Sequence, residues 1–176
     1  MLLGLLSLFL FSLPALSQSE QKPDVWEPIR FFAGAWQGEA KGEPGVGKAE
    51  RDYVFVLNNR FLQVRNKNTY PPQEKNPKGE VHEDWGFFSY DRARKKLVLR
   101  QFHVEGFVNQ YVLESNSADG KTLVFVSEAL ENVPAGWRAR ETYKLISLDE
   151  FVETFELALP GKEFQTYSET RFKRKK

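Results

Sequence analysis

At 176 residues the chain suits one domain rather than two, and it is long enough to bury a core without covalent staples. It contains no cysteine, which excludes disulfides, cysteine nucleophiles, cysteine-based metal sites and a lipid-modified cysteine anchor. A formal charge of +1 gives no electrostatic reason to expect nucleic acid, and the basic end, residues 171–176, reads as solvated chain.

Residues 2–13 form an almost unbroken apolar run. It is too short to cross a bilayer, which takes about 20 residues. Pro14 breaks it, and Ala15-Leu16-Ser17 places small residues at the −3 and −1 positions. This predicts a secretory signal peptide over residues 1–17, cut after Ser17, and a chain exported to the periplasm or secreted. The segment before the run has no Lys or Arg; the alternative is a buried N-terminal helix. Residues 18–33 then form a polar lead-in with a brief helical turn near 28–32, where Pro28 suits a first helical position.

From Trp36 onward, short runs rich in Val, Phe, Tyr, Leu and Thr follow one another. Strands are predicted over 35–42, 47–57, 60–69, 81–90, 96–105, 107–115, 122–130, 137–147, 150–159 and 163–173. Glu43-Pro44-Gly45, Asn58-Asn59, Ala118-Asp119-Gly120 and Pro160-Gly161 are turn material, and residues 91–96 make a charged hairpin tip. The longest connection, residues 70–80, carries Pro71, Pro72, Pro77 and Gly79 and cannot be a central strand. There is no repeat and no linker, so residues 34–176 form one domain. An open antiparallel sheet of this size would leave two free edges, and closure removes them. The fold class is therefore all-β: a single antiparallel up-and-down barrel of about ten strands. Such a barrel keeps a cavity, since about eight strands already hold one small ligand.

Candidate site residues follow from strand parity. Over residues 137–145 the odd positions face inward, with Glu141 as a charged exception. Arg100 shares a face with Val98, Phe102 and Val104, the more apolar one, and is the candidate lumenal anchor for a polar head group. Gln101, His103 and Glu105 share the opposite face. They form either a polar lumenal cluster in which Glu105 orients the imidazole, or a wetted outer face. His82 reads as a surface residue near a barrel rim. With two histidines and no cysteine, a zinc site would have to recruit carboxylates, and no metal site is expected. Glu128, Glu141, Glu153 and Glu156, with arginines on neighbouring strands, make either outward cross-strand pairs or an inward ionic network; parity puts Arg138 and Arg140 outside. The aromatic load of 14% either walls an apolar pocket or fills the barrel completely. No nucleophile with a base and no Gly-rich phosphate loop is visible.

Gly34-Ala35-Trp36 at the head of the first strand resembles the calycin superfamily of lipocalins and fatty-acid-binding proteins. Gly38, Ala40 and Gly42, then Glu50 and Tyr53 on the next strand, look like the nitrobindin-like haem-binding barrels. They look equally like a group of bacterial secreted barrels, as do Arg60-Phe61-Leu62 and Tyr90-Asp91. The resemblance implies a calycin-like barrel closed at one end by Gly34 and Trp36, with Arg171 stacked on the indole. It implies haem as the cofactor to consider, although the residues themselves fix none. The histidine that would hold the iron is missing from the last strand, and Tyr167 stands about where it would be; tyrosinate can ligate haem iron.

The expected function is binding of a small hydrophobic molecule in the lumen, with Arg100, His103, Glu105 and Tyr167 as ligand-binding candidates. No nucleic acid partner and no membrane anchor are expected, and the oligomeric state is left open. Two alternatives remain. One is a calycin-type isomerase or haem-dependent enzyme, in which His103 and Glu105 would act as an acid–base pair. The other is a filled barrel that uses the 70–80 loop as an interaction surface.

Overall fold

The computed structural model describes residues 24–176, so the expected signal peptide lies outside the described residues. A 3-10 helix, Glu27–Phe32, has Pro28 in its first turn and buries Ile29 and Phe32. Ten strands follow: β1 (Gly34–Gly42), β2 (Gly45–Val56), β3 (Phe61–Tyr70), β4 (Glu80–Asp91), β5 (Lys96–His103), β6 (Val108–Asn116), β7 (Thr122–Glu131), β8 (Arg138–Ser147), β9 (Glu150–Ala158) and β10 (Gln165–Arg174). Each pairs antiparallel with its chain neighbours, and β1 pairs with β10 to close the barrel. The elements match the sequence expectation closely. The clearest difference is at β5, which stops at His103, where Val104–Gly106 turn the chain.

Period-two burial runs through the strands because one face of each lines the barrel interior. On β2 it buries Ala49, Arg51 and Tyr53; on β8 it buries Ala139, Glu141 and Tyr143, the odd face expected from the sequence. The turn between β2 and β3 holds Leu57, Asn58 and Asn59 at positive φ, a conformation asparagine tolerates better than most residues.

Aromatic side chains fill the end of the barrel that carries the 3-10 helix. Trp36 is fully buried there and donates its indole N–H to the Phe32 carbonyl at 2.6 Å. Phe151 meets the indole edge-on at 4.8 Å, and Phe32 lies 5.0 Å from both Tyr53 and Tyr143. Phe88, Phe125 and Phe172 complete the layer.

The arginine that stacks on Trp36 is Arg174, not Arg171. Its guanidinium lies 4.1 Å from the ring centroid and donates to the carbonyls of Ala33 and Phe31, each at 2.7 Å. On β10 the even positions Thr170 and Phe172 face inward, so Arg171 points out and pairs with Glu150 on the surface. Gly34 has φ near 120°, and a Cβ there would sit 2.9 Å from the Arg174 guanidinium. Glycine at this position serves both the backbone turn into β1 and the approach of the arginine.

Candidate functional site

Above the aromatic layer the interior changes character. One strand after another places a polar side chain inward at about the same height: Arg51 on β2, Asn66 on β3, Asp84 on β4, Gln101 on β5, Asn109 on β6, Glu141 on β8 and Thr170 on β10, all buried. Glu153 on β9 joins them. The register accounts for the level: Arg51 pairs with Asn66, Asn66 with Asp84, and Gln101 with Asn109. This belt is the floor of a cavity of about 480 Å³ that opens at the end opposite the 3-10 helix. Leu130, Trp137, Phe155, Leu157 and Tyr167 form an apolar wall nearer the mouth. The lumen is therefore filled in one half and open in the other.

Arg51 and Glu153 make the principal ion pair of the belt, at 2.6 Å with both side chains nearly excluded from solvent. The guanidinium also donates to Asn68 Oδ1 at 2.8 Å and to the Glu50 carbonyl at 3.0 Å. Burial works against its charge, but Glu153 more than offsets this, and Arg51 is held above its ordinary value. Glu141 has no such partner. Burial, then the charge of Glu153, push it well above the usual carboxylate range and favour its protonated form. Burial likewise raises Asp84 to about 6, against the pull of Arg51, of His82 and of the Asn66 amide that donates to it at 2.7 Å. Three buried oxygens on belt residues have no hydrogen-bond partner among the described residues: Asn66 Oδ1, Gln101 Oε1 and Glu141 Oε2.

A polar chain leads from the belt to the mouth. The Asn109 amide nitrogen donates to Tyr111 Oη at 2.9 Å and to His103 Nε2 at 3.1 Å. That leaves the His103 proton on Nδ1, which faces His82 Nε2 at 3.3 Å. His82 then carries its proton on Nδ1 and donates to Glu105 at 2.8 Å. His103 stacks on Phe107 with ring centroids 4.1 Å apart. Burial, with the charge of His82, lowers His103 to about 4, so it is neutral at pH 7. Burial opposes the Glu105 charge, but the His82 hydrogen bond prevails and holds it below its ordinary value.

Of the residues expected from the sequence, His103, Glu105 and Tyr167 line this cavity. Glu105 reaches it from the turn after β5 rather than from the strand. Arg100 does not line it. Leu97, Leu99, Gln101 and His103 face in, so Arg100 points out and donates to Ser89 Oγ at 3.1 Å. His82, expected on the surface near a rim, lines the cavity near its mouth and is partly exposed. Arg51, Asp84 and Asn66 were not singled out by the sequence. The available signal was an arginine on the same β2 face as Ala49 and Tyr53, and an Asp two residues after His82.

Haem fits these residues poorly. His103 and His82 are hydrogen-bonded through both ring nitrogens, so an iron could take either only by displacing the Nδ1–Nε2 contact between them. Tyr167 sits on a β-bulge of β10 beside Phe155, and burial together with Glu80, Glu43 and Glu105 raises its phenol, which disfavours the tyrosinate an iron would need.

Among the described residues no helix is long and apolar enough to cross a membrane. No family model matches the chain, and no curated protein does. Among solved structures the chain is similar to the crystal structure of Rv2717c from M. tuberculosis, with a TM-score of 0.65 and 14% identity over 88% of this chain and 99% of that one. At that identity the likeness bears on the fold alone, which is consistent with a calycin-like barrel.

Proposed function

We propose that the protein binds a small molecule with an apolar body and a hydrogen-bond-donating head, an amine or hydroxyl, in the open half of its lumen. The observation that carries this is the composition of the cavity floor. The volume of about 480 Å³ lies in the range of small-molecule pockets, and the walls near the mouth are apolar. The floor is rich in acceptors: the carboxyls of Asp84, Glu141 and Glu153 and the amide oxygens of Asn66 and Gln101. Its one arginine is already engaged by Glu153, Asn68 and the Glu50 carbonyl. A carboxylate head would meet a neutralised Arg51 and two further acids. A donor head would find partners in the unpartnered amide oxygens of Asn66 and Gln101, each of which costs about 1–3 kcal/mol when buried alone.

Binding rather than turnover is the reading because no hydroxyl nucleophile is bonded to either histidine among the described residues. This binding takes place outside the cytoplasm, a reading supported by the apolar run of residues 2–13, the Pro14 break and the Ala15-Leu16-Ser17 cleavage pattern.

The test is competition for an environment-sensitive apolar probe held in the lumen. Long-chain primary amines and alcohols are expected to displace it and to raise the melting temperature. Fatty acids of the same length are expected to do neither. Displacement by fatty acids but not by amines would overturn the reading.

A further inference from the structure

We propose that His82, Asp84 and His103 form a binding site for a divalent transition-metal ion in the wall of the cavity. His82 and Asp84 are two residues apart on β4, so both project inward, and His103 stands directly opposite Asp84 on β5. One strand register therefore gathers two imidazoles and a carboxylate from two neighbouring strands. His82 Nε2 is 3.3 Å from His103 Nδ1 and 3.7 Å from Asp84 Oδ2, and the three ligand atoms all lie within 4.8 Å of one another. Metal–ligand bonds of about 2.0–2.1 Å at tetrahedral angles separate ligand atoms by about 3.3 Å. The cluster is thus near the size a metal needs, with a small inward movement of Asp84 and His103 completing it.

The surroundings are those of a metal centre rather than of three chance neighbours. Glu105 accepts from His82 Nδ1 at 2.8 Å, which leaves the lone pair on Nε2, where it faces His103 Nδ1 at 3.3 Å in the contact that the ion would replace. This carboxylate–histidine arrangement is the usual support of a metal-bound imidazole. Asn66 holds Asp84 Oδ1 at 2.7 Å and so leaves Oδ2 free. His103 Nε2 lies 3.1 Å from the side-chain amide of Asn109. With a metal on Nδ1, that nitrogen would carry the proton, and the amide turned end for end would accept it. Asp84 and Glu105 supply two negative charges to a dication. The fourth position faces the lumen, because all three ligands line the cavity, and it would be held by water or by a polar ligand atom.

Two imidazoles and one carboxylate suit zinc or another late first-row ion rather than calcium or magnesium. The second group of facing side chains, Glu80, His82 and Glu105, is more exposed, and Glu105 is already hydrogen-bonded to His82 Nδ1. The inference does not rest on the identity of the organic ligand.

The experiment is calorimetric titration of the chelator-treated protein with zinc, and with cobalt read by its visible absorption. One equivalent of each is expected to bind, cobalt with the intense bands of a four- or five-coordinate site. His103→Gln and His82→Gln are expected to abolish binding. Glu105→Gln, which touches no metal, is expected to weaken it about 10–100-fold. His82 is partly exposed at the mouth, so its variant keeps the test valid if the His103 variant does not fold. No binding by the parent protein, or undiminished binding in both histidine variants, would overturn the proposal. Amine displacement run in chelator, and metal titration of Glu141→Gln, separate a failure of this site from a failure of the ligand reading.

Discussion

Arg174 lies over the indole of Trp36, 4.1 Å from its centroid, and ties it to the carbonyls of Phe31, Ala33 and Leu148. The last strand thereby fastens the first strand and the 3-10 helix together at the closed end. Trp36→Ala is expected to destabilise the fold by about 3–5 kcal/mol, the range for truncating a buried large aromatic. Arg174→Ala should cost about 1–3 kcal/mol through carbonyls left without donors, whereas Arg171→Ala should stay within about 0.5 kcal/mol. Denaturation midpoints of the three variants check this order; equal midpoints for the two arginine variants would refute it.

The Arg51–Glu153 pair is buried, so removing one partner strands the other. Arg51→Met alone is expected to cost about 3–5 kcal/mol, and adding Glu153→Leu should recover most of it. A double variant no more stable than the single would show that the pair is not what holds the two residues in place.

The buried acids set the direction of the pH dependence. Glu141 binds its proton more tightly folded than unfolded, so its contribution is fully present below 4.5 and is lost as pH rises toward the folded value. Asp84 behaves alike between 3.8 and about 6. His103 opposes them: its folded value of about 4 lies below 6.5, so its contribution grows with pH across that interval. The Asp84 and His103 trends thus run against each other, and the Glu141 slope is bounded by about 1.4 kcal/mol per pH unit for one proton. Glu141 has Glu153, Arg51, Asp84 and Glu156 as its charged surroundings. Urea denaturation at a series of pH values above 4.5 should show stability falling more steeply with pH in the parent protein than in Glu141→Gln. Parallel curves would contradict the assignment.

Haem titration is expected to give no saturable one-to-one Soret band. A band that appears in the parent and is lost in Tyr167→Phe would show that the phenol ionises onto iron despite its acidic neighbours.

Export makes a separate prediction. When the full chain is produced with a secretion pathway available, sequencing of the product from its N-terminus should begin at Gln18. A product that retains residues 1–17 would remove the signal-peptide reading.

The strands and turns were legible because branched and aromatic runs, broken by Asn, Gly and Pro, report local backbone preference. The site was less legible because parity gives two faces without saying which is inside. On β5 apolarity misled: Val98 and Phe102 lie on the outer face with Arg100, and Phe102 is half exposed. Near His103 the lumen is polar, so apolarity selects the wrong face for Arg100, while His103 and Glu105, which the sequence offers as one polar face, line the cavity. Arg51 was passed over for the same reason. On β10 the buried Phe172 fixes the parity and selects Arg174 over Arg171, a clue available in the sequence but outweighed by the resemblance. The facing of Asp84 and His103 needed the register of two strands, which no single run of residues contains.

The polar belt also divides the molecule by tolerance of side-chain change. Below it, Trp36, Phe32, Phe151 and Phe172 interlock, and a change in one must be answered by the others. Above it, Leu130, Trp137, Leu157 and Tyr167 line the open half of the lumen. Substitutions there would change the shape of the open half while leaving the interlocked layer as it is, so the two halves of one barrel differ in how much side-chain change they absorb.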